Sequence, residues 1–426
     1  MPVLKMDKQP HFSVYNHQIV KDDGRRINRQ FIVLRTPCGL MQFTDFHKYV
    51  KTSSTVKKET SDGNSRFSFV VQMLNYAYFA VGIQSFNDIS VDVITDFLTK
   101  YGLCELPDDT ENTTRSKGTV TRCFRAIMDF LESYLAQNED ACSLKTADLY
   151  RMANKRDKHG KVCKVKMPVF EILYKDSTRV PIFRDIPNKC FNIIFSYIAT
   201  FHKEIFGLVF CSAFGGLRPS EACNVRRTDS PLGPGIRFYR VGSTVYKIDI
   251  DLEKERKLRD DNVIVGNIKK ERIQTIPDIF LDSFISAYDT YMTYLNTRKP
   301  DPYGAFTLNR QGRAMTYASY LNAFHSIIEN EIVPIFLAHS DPEVVMYGRI
   351  LMEHRLSPHV FRHWYTVQLV LSGVSNPGIL QKLRGDSNPE SSLRYLADKS
   401  ELAKKYAKVT SDIFDYMKWA AKENNA

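Results

Sequence analysis

Apolar positions change period along the chain, and each change predicts a different kind of element. In RRINRQFIVLRTPCGLMQF (residues 25–43) polar and apolar residues alternate on both sides of a Pro-Cys-Gly break, which predicts a small hairpin. TSSTVKKETSDGNSR (52–66) has no apolar period and reads as a linker. FSFVVQMLNYAYFAVG (67–82) is apolar around most of a helical circumference, so a well-buried helix is expected. DISVDVITDFLTKYG (88–102) opens with Asp88 or Ser90 as N-cap and runs to Gly102. TVTRCFRAIMDFLESYLAQ (119–137) is amphipathic, with Arg122, Arg125 and Glu132 off its apolar stripe. Together these segments predict a compact four-helix-like domain over about residues 65–150.

A second pattern follows. Residues 151–185 hold several helix breakers and a run, KRDKHGKVCKVK, in which six of twelve residues are Lys or Arg. A basic linker is expected there. IPNKCFNIIFSYIATFHKEIFGLVFCSAFGG (186–216) reads as two helical segments closed by Gly215-Gly216. GIRFYRVGSTVYKIDIDL (235–252) and NVIVGNIKKERIQTIPD (262–278) alternate like strands of a small antiparallel sheet, and helical periods return from residue 278. The expected fold class is therefore mainly α with a small antiparallel β-sheet (α+β). The expected divisions are an extension over 1–60, a helical domain over 65–150, the linker over 151–185, a larger domain over 186–410 and a tail over 411–426.

Composition narrows the partners. The chain has 426 residues, 43% of them apolar, and a formal net charge of +11. An excess of that sign favours polyanions through phosphate neutralisation and counterion release. The eight cysteines are scattered, without CxxC pairs or histidines at zinc-ligand spacing, so they read as reduced thiols and no metal or other cofactor is expected. No stretch approaches the ~18 apolar residues of a membrane span, and MPVLKMDKQPHF lacks an apolar signal core. A cytoplasmic protein without a membrane partner is expected.

Three segments carry candidate chemistry. In FGGLRPSEACNV (214–225), Pro219 and Ser220 suit a helix start and place Arg218 at its mouth, where a guanidinium beside free N–H groups makes a phosphate clamp. Taken alone, the same residue also suits a surface cap. In LSPHVFRHWYTVQLVLSGV (356–374), His359 and Arg362 are three apart and share a helix face. His359 could equally cap the helix while His363 and Trp364 pack the core. In LRGDSNPESSLRYLA (383–397), a turn containing Gly385, Asn388 and Pro389 precedes a short helix carrying Tyr395, one of 22 tyrosines.

Taken in order, R-P-S-E, a basic hairpin, H-V-F-R-H, a turn and then Tyr resemble the tyrosine recombinases (phage integrase-like enzymes) over about residues 65–410. The resemblance implies a helical, SAM-like core-binding domain followed by a catalytic domain. It implies DNA cleavage and rejoining through a 3′-phosphotyrosine, without metal or ATP, in integration, excision or transposition of a mobile element. Arg218 matches the first arginine of the family pattern and Glu221 the acidic residue supporting it. His359 and Arg362 match His-x-x-Arg, His363 the histidine that often follows, Gly373 the helix-breaking glycine and Tyr395 the nucleophile. The family lysine falls on Lys269, eight residues before Pro277, with Lys270 adjacent and Lys247 an outside candidate.

Asp386 departs from the pattern, since the family carries His or Trp nine residues before the tyrosine. At 5 Å and an effective dielectric of 20, an ionised aspartate would oppose a phosphate by roughly 3 kcal/mol. Asp386 could point away and be replaced by Arg384 or a water, act as a base or orienter, or leave the enzyme slow or partner-dependent. A DNA-binding protein of the same fold with impaired catalysis is the alternative that follows.

The resemblance further implies double-stranded DNA with specific sites as partner, a homotetramer on two sites, and accessory DNA-bending or element-encoded proteins. Arg122, Arg125, Lys155, Arg156 and Lys270 would contact DNA, and the basic stretch could cross the duplex backbone. Residues 1–60 would be an arm-site reader or an added extension. After Tyr395, Leu402, Tyr406, Ile413, Tyr416, Met417 and Trp419 recur near helical spacing, which suits a helix packing on its own domain; the resemblance implies instead a C-terminal segment docking on a neighbouring subunit.

Overall fold

The computed structural model describes residues 9–22, 24–51, 65–111, 113–156, 162–175, 186–261 and 263–386. The chain forms two compact units, one from Met1–Ile19 with Ile27–Val180, the other from Val20–Arg26 with Pro181–Ala426. It is mainly helical with small antiparallel sheets, an α+β architecture. Among the described residues no helix is long and apolar enough to cross a membrane.

The first unit opens with a three-stranded sheet in the order β1 (His11–Val20), β2 (Arg26–Arg35), β3 (Met41–Phe43). The hairpin expected over 25–43 is β2–β3, with Val33 opposite Phe43 and Gly39 at φ +81 in its turn. β1 is an addition to that expectation. Helices α1 (Ser65–Asn75), α2 (Val91–Leu103) and α3 (Lys117–Asn138) bury Val70, Leu74, Phe97, Ile127 and Leu131, and Phe12, Ile32 and Val50 from the N-terminal segment join that core. Among the described residues of this unit the long helices number three rather than four, and the one over the apolar run at 67–82 ends in a π-helical turn over Tyr76–Val81. Ser90 caps α2 by accepting from the Val93 amide at 3.3 Å, which settles its start. The helix continues past Gly102, and Cys104 at φ +59 closes it. Gly102 is required for another reason: a Cβ there would lie 1.9 Å from the Leu173 carbonyl oxygen.

The basic stretch differs from the linker expectation. β4 (Tyr150–Arg156) and β5 (Val162–Pro168) pair antiparallel along their whole length, with Tyr150 opposite Pro168 and Asn154 opposite Lys164. The charge run hides a β-pattern in which Val162, Val165 and Met167 provide strand-forming positions.

The second unit packs α4 (Asn188–Phe201) and α5 (Lys203–Ala213) with α7 (Asp278–Leu295), α8 (Tyr317–Ile327), α9 (Val333–Leu337), α10 (Pro342–Glu353) and α11 (His359–Leu371). The one-turn α6 (Pro219–Ala222) and the later α12 (Pro377–Arg384) flank α11. A sheet in the order β6 (Ile236–Val241), β7 (Thr244–Leu252), β8 (Arg272–Thr275) is inserted before α7. α5 is buried on every side, from Ile205 through Ala213, and serves as the core's central rod. Trp364 of α11 stacks on Phe191 of α4 with ring centroids 3.8 Å apart.

The segment 20–26 belongs to this second unit through a buried ion pair. Arg26 donates to Glu255 at 2.7 Å and to the Gly266 carbonyl at 2.7 Å, and Glu255 accepts from the Ile268 amide at 2.6 Å. Both side chains are about 1% exposed. The pair therefore fixes the loop that runs from β7 into Lys269 and Lys270.

Candidate active site

A glycine places the first arginine. Gly216 adopts φ +64, and a Cβ on it would lie 2.4 Å from the Tyr365 ring, so only glycine lets this turn pass against α11. The turn delivers Arg218 to the N-cap of α6, followed by Pro219 at the first helical position. Glu221, fully buried, accepts from the Arg218 amide at 3.1 Å and from its Nη1 at 2.8 Å. Arg272 of β8 meets the same carboxylate with two bonds, of 2.9 and 3.2 Å. Burial pushes the Glu221 pKa up, but the charge and hydrogen bonds of Arg272 and the charge of Arg218 outweigh it and hold the carboxyl at about 2.

The second arginine comes from α11. Pro358 starts this helix, and the three-residue spacing puts His359 and Arg362 on one face. Arg362 is buried; its Nη1 donates to the Gly216 carbonyl and its Nη2 to the Arg384 carbonyl at 2.7 Å. Burial and the guanidinium charges of Arg218 and Arg384 lower its proton affinity, with Asp386 and Glu221 acting in the opposite sense. A guanidinium still carries its charge at neutral pH. His359 and His363 are half-buried on the same helix.

Asp386 does not point away from this cluster. Its Oδ1 accepts from Arg218 Nη2 at 2.6 Å and from Arg362 Nη2 at 2.7 Å, and its Oδ2 accepts from Arg384 Nε at 2.6 Å. Burial raises its pKa, and the charges of Arg362, Arg384 and Arg218 outweigh that and lower it. Arg384 also donates to Thr366 Oγ1 at 2.7 Å, which ties the end of α12 to α11. Gly385 at φ +62 allows this crowding, since a Cβ there would lie 2.3 Å from Arg272 Nε. Gln274, buried on β8, accepts from Arg272 Nε at 2.7 Å and donates to the Leu383 carbonyl at 2.8 Å.

The cluster thus joins Arg218, Arg272, Arg362 and Arg384 to Glu221 and Asp386, four cations against two carboxylates. Of the residues expected from the sequence, Arg218, Glu221, Arg362 and Asp386 are in direct contact. Lys270 Nζ lies 3.4 Å from the Asp386 carbonyl oxygen. Lys269 is exposed and makes no side-chain hydrogen bond or ion pair among the described residues. Lys247 instead pairs with Asp249 on β7 at 2.8 Å. Arg122 and Arg125 are exposed on α3. Lys155 and Arg156 end β4, and their side chains lie outside the described residues, as do Tyr395 and the whole C-terminal segment from residue 387. Among the described residues no group of acidic, His or Cys side chains could hold a metal ion.

Arg272 and Gln274 were not expected as site residues. The available signal is an arginine within the strand-like segment KKERIQT, and nothing in that segment names Glu221 as its partner.

No family model matches the chain, and no curated protein matches it in sequence. In three dimensions it is similar to the Tn1549 transposon integrase in complex with transposon right end DNA, with 15% identity, a TM-score of 0.46, and coverage of 82% of this chain and 92% of that one. It is also similar to the XerH site-specific recombinase bound to a palindromic difH substrate, with 15% identity, a TM-score of 0.42, and coverage of 81% and 79%. A lambda integrase dimer bound to a COC′ core site is similar with 11% identity, a TM-score of 0.39, and coverage of 90% and 95%.

Proposed function

We propose that the chain is a site-specific tyrosine recombinase that cleaves and rejoins double-stranded DNA through a 3′-phosphotyrosine, in service of a mobile element. One observation carries the reading. Arg218 and Arg362, 144 residues apart in sequence, aim guanidinium nitrogens at a single oxygen, at 2.6 and 2.7 Å. A carboxylate oxygen held that way stands in for a non-bridging phosphate oxygen.

In the proposed reaction the Tyr395 hydroxyl oxygen attacks the scissile phosphorus and the bond to the 5′-oxygen breaks. A free tyrosine has a pKa near 10, so about 0.1% is phenolate at pH 7 and a base is needed. His359, on the helix that presents Arg362, accepts that proton. The leaving 5′-oxygen takes a proton from a lysine of the loop before β8; Lys270 faces the cluster more closely, and Lys269 holds the family spacing. A 5′-hydroxyl of another strand reverses both transfers, so the bond energy is conserved without ATP. Arg218 and Arg362 stabilise the charge that grows on the phosphate oxygens, where one preorganised donor is worth about 3–4 kcal/mol. The net surplus of two positive charges in the cluster suits a phosphodiester.

The test is a nicked suicide duplex carrying the element's ends, with the adduct mapped by mass spectrometry. A denaturation-resistant protein–DNA adduct on Tyr395, absent in Tyr395→Phe while duplex binding persists, is the expected outcome. Loss of duplex binding in Tyr395→Phe would count against the assigned role.

A second reading has its own observation, since Asp386 occupies the position the phosphate oxygen would take. On that reading the chain binds DNA and cuts poorly, or only once a partner displaces the carboxylate. Tight duplex binding with no adduct from wild type, and an adduct from Asp386→His, would favour it.

A further inference from the structure

The β4–β5 hairpin stands outside the chemistry above. Its strands carry Arg151, Lys155, Arg156, Lys164 and Lys166 and no acidic residue, five positive charges in fourteen residues of a chain whose net charge is +11. Apolar side chains are exposed on both faces: Met152 at 65% and Val162 at 55% on one, Val165 and Met167 each at 38% on the other. A two-stranded ribbon without a covering layer is marginal in water. This one is anchored at its base, where Tyr150 hydrogen-bonds Glu132 and Lys166 Nζ lies 4.0 Å from the Tyr150 ring.

Residues directly opposite in an antiparallel ladder share a face. The pairs Met152–Lys166 and Asn154–Lys164 therefore lie side by side on one face, and Arg151–Met167 and Ala153–Val165 on the other. Arg151 forms an exposed ion pair with Glu171 at 2.9 Å, and pairs of that kind hold weakly.

We propose that this hairpin enters a groove of duplex DNA and selects sequence, with Asn154 and Lys164 touching base edges and Lys166 touching the flanking phosphate. The inference rests on the reading of the chain as a DNA recombinase. The dimensions agree: seven residues per strand give a ribbon of about 23 Å, and the B-DNA major groove, about 12 Å wide, admits a two-stranded β-ribbon. Asn pairs bidentately with adenine N6 and N7, Lys reaches guanine O6 and N7, and the exposed Met152 can contact a thymine methyl. An A-form RNA duplex has a major groove too deep and narrow for such a ribbon.

The experiment uses the full chain and a pool of duplexes with a randomised centre, selected for binding and sequenced. Wild type is expected to enrich a short motif. Asn154→Ala with Lys164→Ala, both exposed positions, is expected to lose at least tenfold of the preference at two or more base pairs while still binding random duplex. Lys166→Gln is expected to weaken all duplexes alike and to lower the salt slope by about 1. An unchanged motif with unchanged preference in the double variant overturns the proposal. So does binding to anionic lipid vesicles or single-stranded RNA, with none to duplex. The Tyr395 adduct on a nicked duplex separates the two claims: an adduct together with an unchanged motif sinks the ribbon and leaves the recombinase, whereas a wild type that neither forms an adduct nor binds duplex sinks both.

Discussion

At the scale of single residues, the carboxylates decide how the site behaves. Asp386 compensates three guanidinium groups, and its removal leaves buried charge without a partner. Asp386→Asn is expected to cost about 3–5 kcal/mol, a melting point lower by about 10 °C. An anion can refill the position, so sulfate is expected to raise the melting point of the variant much more than that of wild type. Equal sulfate shifts in the two proteins would mean that the carboxylate does not hold an anion position. Glu221 adds a pH dependence. Its folded pKa, about 2, lies below the ordinary 4.5, so its contribution is complete above about pH 4.5 and fades as pH falls toward 2. The difference corresponds to about 3 kcal/mol. Urea midpoints measured between pH 6 and 3 should fall steeply for wild type and less for Glu221→Gln; parallel curves would show that Glu221 titrates alike in both states.

At the scale of elements, the site depends on how closely α6, α11 and α12 approach. Gly216 makes that approach, and Gly216→Ala combines a left-handed backbone with a Cβ 2.4 Å from the Tyr365 ring. A destabilisation of about 2 kcal/mol or more is expected, with weaker anion response where the clash shifts the turn whose main-chain carbonyl accepts from Arg362. Calorimetry with and without sulfate reads both effects. Most of this layer was legible in the sequence. Gly215-Gly216, Pro219 and Pro358 are local signals, and they announce helix starts that the folded chain contains. The strands of the inserted sheet were legible by their alternation, although β8 is only Arg272–Thr275. What could not be read is pairing at a distance. Nothing local tells Arg272 that it will share Glu221 with Arg218, or that Asp386 will bridge three arginines rather than turn away. Charge dominates the pattern of the β4–β5 hairpin and the alternation of β1 is weak, so neither is legible in the sequence.

At the scale of the whole molecule, the chain order and the units do not coincide. Residues 20–26 belong with the unit that begins again at residue 181. Arg26, buried against Glu255 and the Gly266 carbonyl, is the reason. A fragment that starts at residue 181 would keep Glu255 and lose the Arg26 guanidinium that compensates its buried charge, at a cost of about 3–5 kcal/mol. Such a fragment is expected to melt lower than the same residues do within the full chain, and a synthetic peptide spanning residues 18–30 is expected to restore part of the difference. No response to the peptide would place the loss elsewhere.

The Arg26–Glu255 pair also bears on how this chain can be recombined with others. A gene fusion that exchanges the first 180 residues for those of another protein would look, by sequence order, like a clean swap of one module. It would in fact carry away seven residues of the module it meant to keep. Chimeras that retain residues 20–26, or that replace Glu255 together with Arg26, are the ones in which the loop leading to Lys269 and Lys270 would keep its footing.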